Sequence, residues 1–424
     1  MFSFEELYTK PRKAARSYAE LLPWFAHIAP GLVLCQDGSL LAGYTLAGSD
    51  VEGREDFVAD QKIDQLQAAF RALNDRVTMW TVQERRFVTG YPNNVFVSPV
   101  ATAIDEQWKE TLEKRKNAVL TQRVFLSYNF PNKSEAFFEA LRAEVQAQDG
   151  NFFKALKEVI TRKLVEKGAI AQVRGQLAEM VGEFERVLTA FSGIVELQLG
   201  FKRLKDEEFL GELYARANLA SSKGAVNVPA GGVYLNTYLA TDTIVRQHDQ
   251  FEFKGPTKSA YVAALSTTGT PLEAFSGDMD DLMGVDAEYV LVQVFKFLDR
   301  QVAEKEIQDA EQFYKTEVKS VMTRTAERVF DTVSEKENTG NLALAQDAQQ
   351  ALVEMTTDDI AYGYYNMTLL AIGDTKRQAE TSIETLASAM RARGYTVLRE
   401  RQGLLPAILA TVPGNPNAIM RWKM

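Results

Sequence analysis

The sequence predicts an α+β fold, with antiparallel sheets and helices packed on one side, two ferredoxin-like units as the candidate arrangement, and long amphipathic helices besides. Three observations predict it. Short apolar, β-branched runs recur between turn residues, as in Leu32–Cys35 and Leu40–Leu46 around Asp37-Gly38. Between such runs lie stretches with apolar residues at helical spacing. At 424 residues the chain is long enough for two or three cores.

Residues 1–30 read as an amphipathic arm. Phe2, Phe4, Leu7 and Tyr8 precede Lys10, Arg12, Lys13 and Arg16, then Trp24 and Phe25. Basic residues beside aromatics could lie at a membrane interface, but a packing arm on the main body is the reading expected. A first half spans 31–217. After the hairpin it offers a helix near 57–73, a strand at Val77–Val82, a helix at 104–116 and a strand at Val119–Phe130. Residues 134–192 are mostly helical, followed by a strand at Ile194–Phe201 and a helix near 207–217. Residues 218–259, rich in small residues, read as an irregular connecting region.

The second half spans 260–424. Ala260–Ser266 and Tyr289–Phe297 read as strands. A helix at 299–330 would run about 45 Å, and a second follows near 341–356. Residues 362–372, 375–391 and 395–399 give strand, helix and strand, with Gly394 placed for a helix C-cap. Any symmetry between the halves lies in element order, not in repeated sequence.

Composition excludes several functions. Hydrophobic residues at 46% and charged residues at 25% describe a globular protein. A net charge of −9 leaves no domain-sized basic surplus, so nucleic acid is not expected as a partner. The one cysteine, Cys35, lies in an apolar run and reads as a small buried hydrophobe. No apolar stretch reaches the length of a membrane-spanning helix.

Catalytic patterns are also missing. Two distant histidines, His27 and His248, and one cysteine do not make a metal site, so none is expected. Gly255-Pro256-Thr257-Lys258-Ser259 ends like a phosphate-binding loop, but Thr257 stands where that loop needs glycine, as does Glu252. A strand, not a helix, is expected after it, which removes the helix N-terminal dipole as well. Asp278, Asp280 and Asp281, and later Asp358 and Asp359, read as solvated loops or helix N-terminal charges.

Several strings together resemble the TrbE/CagE-type (VirB-family) secretion ATPases. They are Gly31–Leu34 with Asp37–Leu41, Trp80–Arg86 with Tyr91-Pro92, Val100-Ala101 with Ile104-Asp105, Thr257–Ser259, Phe295–Leu298 and Tyr362–Leu370. Leu409–Asn415, containing Pro413-Gly414-Asn415, looks like that family's motif near the junction with its ATPase domain. The resemblance covers nearly the whole chain. It implies a non-catalytic N-terminal assembly and docking module, in a family that energises transport of protein or DNA–protein substrates and pilus biogenesis. No catalytic, cofactor or metal residue carries over to this chain, and ATP and Mg²⁺ would belong to a RecA-like domain beyond it. Implied partners are inner-membrane subunits of the secretion channel, other secretion ATPases and further copies of the chain, as dimer or hexamer. The implied location is cytoplasmic, peripheral at the inner membrane. Phe2, Phe4, Trp24, Phe25, Phe313 and Tyr314 are the interaction candidates. The competing readings are a nucleotide-binding protein using Gly255–Ser259 and a general scaffold.

Overall fold

Three short apolar runs separated by tight turns begin the sheet. The computed structural model describes residues 17–48, 55–88, 96–113, 117–131, 169–221, 226–229, 233–271, 277–317, 339–357 and 360–422. After a one-turn helix α1 (Tyr18–Leu21), β1 (Trp24–Ala29), β2 (Leu32–Cys35) and β3 (Leu40–Leu46) follow. Asp37 sets the second turn. Its Oδ1 accepts from Ser39 N at 3.0 Å and from Ser39 Oγ at 2.6 Å, an Asx-type closure. The expected arm thus ends at a core strand, since Trp24–Ala29 lie in the sheet; Phe2 and Phe4 fall outside the described residues.

The first half continues with α2 (Asp56–Arg71), β4 (Val77–Val88), α3 (Pro99–Glu113), β5 (Asn117–Tyr128), α4 (Ala169–Leu199), β6 (Phe201–Arg203) and α5 (Asp206–Ala217). The strand expected at Ile194–Phe201 is corrected. Residues 194–199 complete α4, whose buried Leu188, Phe191 and Val195 continue one helical stripe. Gly200, at φ 68°, then stops the helix in a conformation that side chains disfavour.

The region 218–259 holds more order than its composition implied. It contains α6 (Leu235–Leu239), β7 (Thr243–Gln247) and β8 (Gln250–Lys254). Then come β9 (Ser259–Gly269), β10 (Glu288–Phe297), α7 (Arg300–Glu317), α8 (Thr339–Thr357), β11 (Gly363–Gly373), α9 (Lys376–Ala392), β12 (Thr396–Glu400) and α10 (Leu404–Ala410). The expected helix over 299–330 is described as far as Glu317, and the rest of that range lies outside the described residues. Gly394 takes φ 84° after α9, as a C-cap position requires.

The fold is α+β, built on one 12-stranded antiparallel sheet. Its path is β1-β2-β3-β5-β4-β10-β11-β9-β8-β7, with β6 on β3 and β12 on β9. Two ferredoxin-like orders lie within it: β6-β3-β5-β4 and β12-β9-β11-β10, each running fourth, first, third, second along the chain. The flanking hairpins correspond too. β2 and β6 share one edge of β3, and β8 and β12 share one edge of β9. The equivalent strands β4 and β10 pair antiparallel from Thr78↔Lys296 to Arg85↔Tyr289 and join the units.

Helices cover both faces, a correction to the single covered side expected. Trp80, Val82, Val292 and Val294 point to one face, under Phe209, Leu210 and Leu213 of α5 and Leu404 and Ile408 of α10. On the other face, α2 and α4 cover the first unit, and α9 covers the second through Ile383, Leu386 and Met390. Strands buried on both faces carry apolar residues nearly continuously, which is why β10 reads Tyr289-Val290-Leu291-Val292.

In each unit the second and third strands are joined through helices: α3 in the first, α7 and α8 in the second. Because β4 and β10 are antiparallel, these insertions leave opposite ends of the sheet. The ribbon carrying α3 outruns its neighbours, since β4 and β5 pair as far as Val88↔Asn117 while β10 stops at Arg85 and β3 at Gln122.

Candidate functional site

Gly255–Ser259 is a hairpin turn. Gly255 N donates to Lys258 O at 2.9 Å, and β9 begins at Ser259. A Cβ on Gly255 would stand 2.8 Å from Ser221 Oγ and 3.0 Å from Asp242 Oδ1, so protein atoms already fill the space against this turn. Asp242 also accepts from Ala220 N at 2.9 Å and from Ser221 Oγ at 2.6 Å. The turn therefore faces a carboxylate and is followed by a strand, the reverse of a phosphate cradle.

The histidines have structural surroundings. His248 sits at the β7–β8 turn with φ 46° and a side chain 91% exposed. His27 is buried in β1 with Nε2 3.3 Å from Asp206 Oδ1. Burial lowers its pKa against the opposing pull of Asp206. Cys35 is buried, and burial pushes its thiol well up. Asp281 pairs with Arg393 at 2.5 Å; Asp358 and Asp359 lie outside the described residues.

The interaction candidates divide. Trp24 and Phe25 are core residues at 0% and 5% exposure, which corrects them as interaction candidates and agrees with an arm packed on the body. Trp24 Nε1 donates to Pro413 O at 2.9 Å, the partner a buried indole needs. Phe313, on α7, is 60% exposed and meets Tyr314 edge to face at 5.5 Å. Tyr314 is half-buried.

Sequence reading missed an ionic centre at the seam between the units. Glu84 of β4 accepts from Arg86 Nε at 2.8 Å and also pairs with Arg216 of α5. Arg86 reaches Glu288 of β10 at 3.6 Å, and Glu288 accepts from Phe87 N at 2.7 Å. Arg123 of β5 donates to Glu212 of α5 at 2.8 Å. Burial alone would raise the Glu84 pKa, but Arg216 and Arg86 outweigh it and hold the carboxyl down at about 2. A carboxylate so held is a poor proton carrier near neutral pH. The centre clamps α5 to the sheet and ties β4 to β10. Its one signal in the sequence is the charged string Gln83-Glu84-Arg85-Arg86 inside a strand.

The segment after α10 crosses the same junction. Pro413 meets Trp24 of the first unit, while Arg421 O accepts from Asn366 Nδ2 at 2.7 Å and Arg421 Nε donates to Glu400 at 2.9 Å in the second. Gly414, at φ 86°, passes so close that a Cβ would stand 2.9 Å from Cys35 Sγ. The Pro-Gly-Asn string is thus a clasp across both units. Among the described residues no helix is long and apolar enough to cross a membrane.

Residues 31–136 match the type IV secretion system ATPase VirB4/TrbE N-terminal domain, and residues 207–337 match the CagE, TrbE, VirB family, component of type IV transporter system. The chain is 20% identical to the conjugal transfer protein TrbE of Rhizobium radiobacter over 97% of its own length and 48% of that protein. It is 21% identical to the type IV secretion system protein virB4 of Brucella melitensis, over 95% of this chain and 44% of that one. It is also 21% identical to the PtlC homolog of Bordetella bronchiseptica, over 94% and 44%. The chain spans about half the length of the curated relatives it matches. With both family regions matched in order along the chain, at residues 31–136 and 207–337, and relatives of that family aligned over nearly its whole length, it belongs to the VirB4/TrbE family of type IV secretion ATPases, in the region of that family's N-terminal domain.

Proposed function

We propose that this chain is a non-catalytic assembly and docking module of a type IV secretion ATPase. The observation that carries the reading is the Gly255–Ser259 turn, the chain's nearest approach to a nucleotide loop, which is closed on Ser221 and Asp242. The paired charges at the seam support it, since they join elements and are poorly suited to moving protons. In this reading ATP and Mg²⁺ bind outside residues 1–424. The module docks to inner-membrane channel subunits and to further secretion ATPase copies, as dimer or hexamer, at the cytoplasmic face of the membrane. The family's cargo is protein or DNA–protein complexes, and the reading does not require this module to touch them.

The test is association with the purified inner-membrane subunits of the same secretion system, with and without residues 1–16. Deletion must stop short of Trp24, because β1 is core. Saturable association is expected. No association with any channel subunit would leave the general-scaffold reading in its place.

A further inference from the structure

The chain changes character at Gly414. From Gly403 to Gly414 every residue but Leu405 is buried, whereas from Asn415 to Trp422 Ile419 alone is. Residues 415–422 form no strand and hold one short 3₁₀ turn, Pro416–Ala418. The backbone bonds from Ala418 N to Asn415 O and from Ile419 N to Pro416 O stay within the segment. Its ties to the sheet run through Arg421, whose carbonyl accepts from Asn366 and whose Nε donates to Glu400. Gly414, at φ 86°, is the joint between the two parts.

The sheet beneath changes at the same place. Side chains two apart on a strand share a face. On the face under α10, β9 presents Val262 and Ala264, and β11 presents Ile372 and Leu370, all in the apolar core. Further along that face come Ser266, Thr368 and Asn366, at 4%, 2% and 4% exposure, joined by Glu400 of β12 at 3%. With Arg421 they line a cavity of about 10 Å³, room for one water. The sheet is thus apolar where the helix covers it and polar where residues 415–422 do. An apolar floor resists uncovering. A floor of hydroxyls, an amide and a carboxylate is hydrated when its cover leaves. Losing the partner of a buried charge is costly where that charge stays buried, but lifting this cover hands Glu400 to water. The ion pair is a light latch, because Glu400 accepts one N–H of an Arg421 side chain that is 36% exposed.

We propose that residues 415–422 are a releasable strap, hinged at Gly414 and latched by Arg421 on Glu400, which uncovers a polar pit in the second unit while α10 and Pro413 stay docked. Strap release is independent of where ATP binds and of what the chain docks to.

A pair of thiols in the full chain tests it. Cys35, the one native cysteine, lies against Gly414 in the part that stays docked. Ser266→Cys places a second thiol on the floor of the pit. Labelling by a soluble aromatic disulfide is followed under native conditions, each rate taken relative to that of the same thiol in the denatured chain. The thiol introduced by Ser266→Cys is expected to react at least about tenfold faster than Cys35, because local opening precedes global unfolding. Adding Arg421→Ala removes a charge-assisted bond and speeds the pit thiol about tenfold more, leaving Cys35 unchanged. Arg421→Lys, which keeps a donor for Glu400, falls between. Hydrogen exchange of the unsubstituted chain is expected to show residues 415–422 exchanging before 404–412. Equal relative rates for the two thiols, no acceleration by Arg421→Ala, or exchange of 415–422 only together with 404–412 overturns the proposal.

Discussion

Glu84 and Arg216 meet where α5 crosses the sheet, with side chains 15% and 3% exposed. A buried pair of this kind adds little over an apolar pair, but losing one partner strands the other charge. Glu84→Ala is therefore expected to destabilise the protein by about 3–5 kcal/mol, and Glu84→Gln by less, measured by denaturant unfolding. The pH dependence follows from the depressed pKa. Glu84 lies near 2 when folded against 4.5 unpaired, so its contribution is present above pH 4.5 and fades as pH falls toward 2. The stability gap between the wild type and Glu84→Gln should narrow over that window. A gap independent of pH there would show that Glu84 is not ionised in the fold. Gly414→Ala tests the clasp at the same scale. Positive φ and the approach to Cys35 Sγ predict a loss of about 1–3 kcal/mol, read as a lower thermal midpoint, whereas an unchanged midpoint would mean the clasp is not formed.

At the scale of elements, legibility followed the length and regularity of each pattern. Strands β10 and β11 and helix α9 were readable because long apolar runs and strong helical spacing leave one interpretation. Residues 194–199 misled because Ile194-Val195-Glu196-Leu197-Gln198-Leu199 nearly alternates like a half-buried strand. In the fold, the stripe running from Leu188 decides for helix. The apolar run of strand β4 ends at Val82, before the charged Glu84, Arg85 and Arg86. Their charges are instead satisfied across the seam, so pairing runs to Val88. Trp24 and Phe25 entered as interaction candidates because basic residues precede them, and the distant Pro413 that accepts from the Trp24 indole is not visible in the local pattern. Helix α3 makes the complementary case. Replacing residues 96–113 by a short Gly/Ser connection should change the unfolding free energy by no more than about 0.5 kcal/mol, because no described side chain there is buried. A large loss would mean that α3 holds the body together.

At the scale of the molecule, the sequence pattern implied two ferredoxin-like units but not how they join. Strand order depends on pairings between residues far apart in sequence, such as Val82 with Val292, and no local pattern encodes these. Because β4 and β10 merge the units into one sheet, neither unit is expected to stand alone. Residues 17–242 and 243–422 expressed separately should aggregate or remain partly unfolded, each exposing a sheet edge and half a core, and co-expression should restore a soluble complex. Two halves that unfold independently and cooperatively would contradict the single-sheet account.

The same scale carries the functional claim, that this segment assembles and docks while nucleotide chemistry lies elsewhere in the family's longer proteins. Calorimetric titration of the 424-residue chain with Mg²⁺·ATP tests it most directly. The account predicts no saturable heat, with Lys258→Ala indistinguishable from the wild type. Saturable binding that Lys258→Ala abolishes would contradict it.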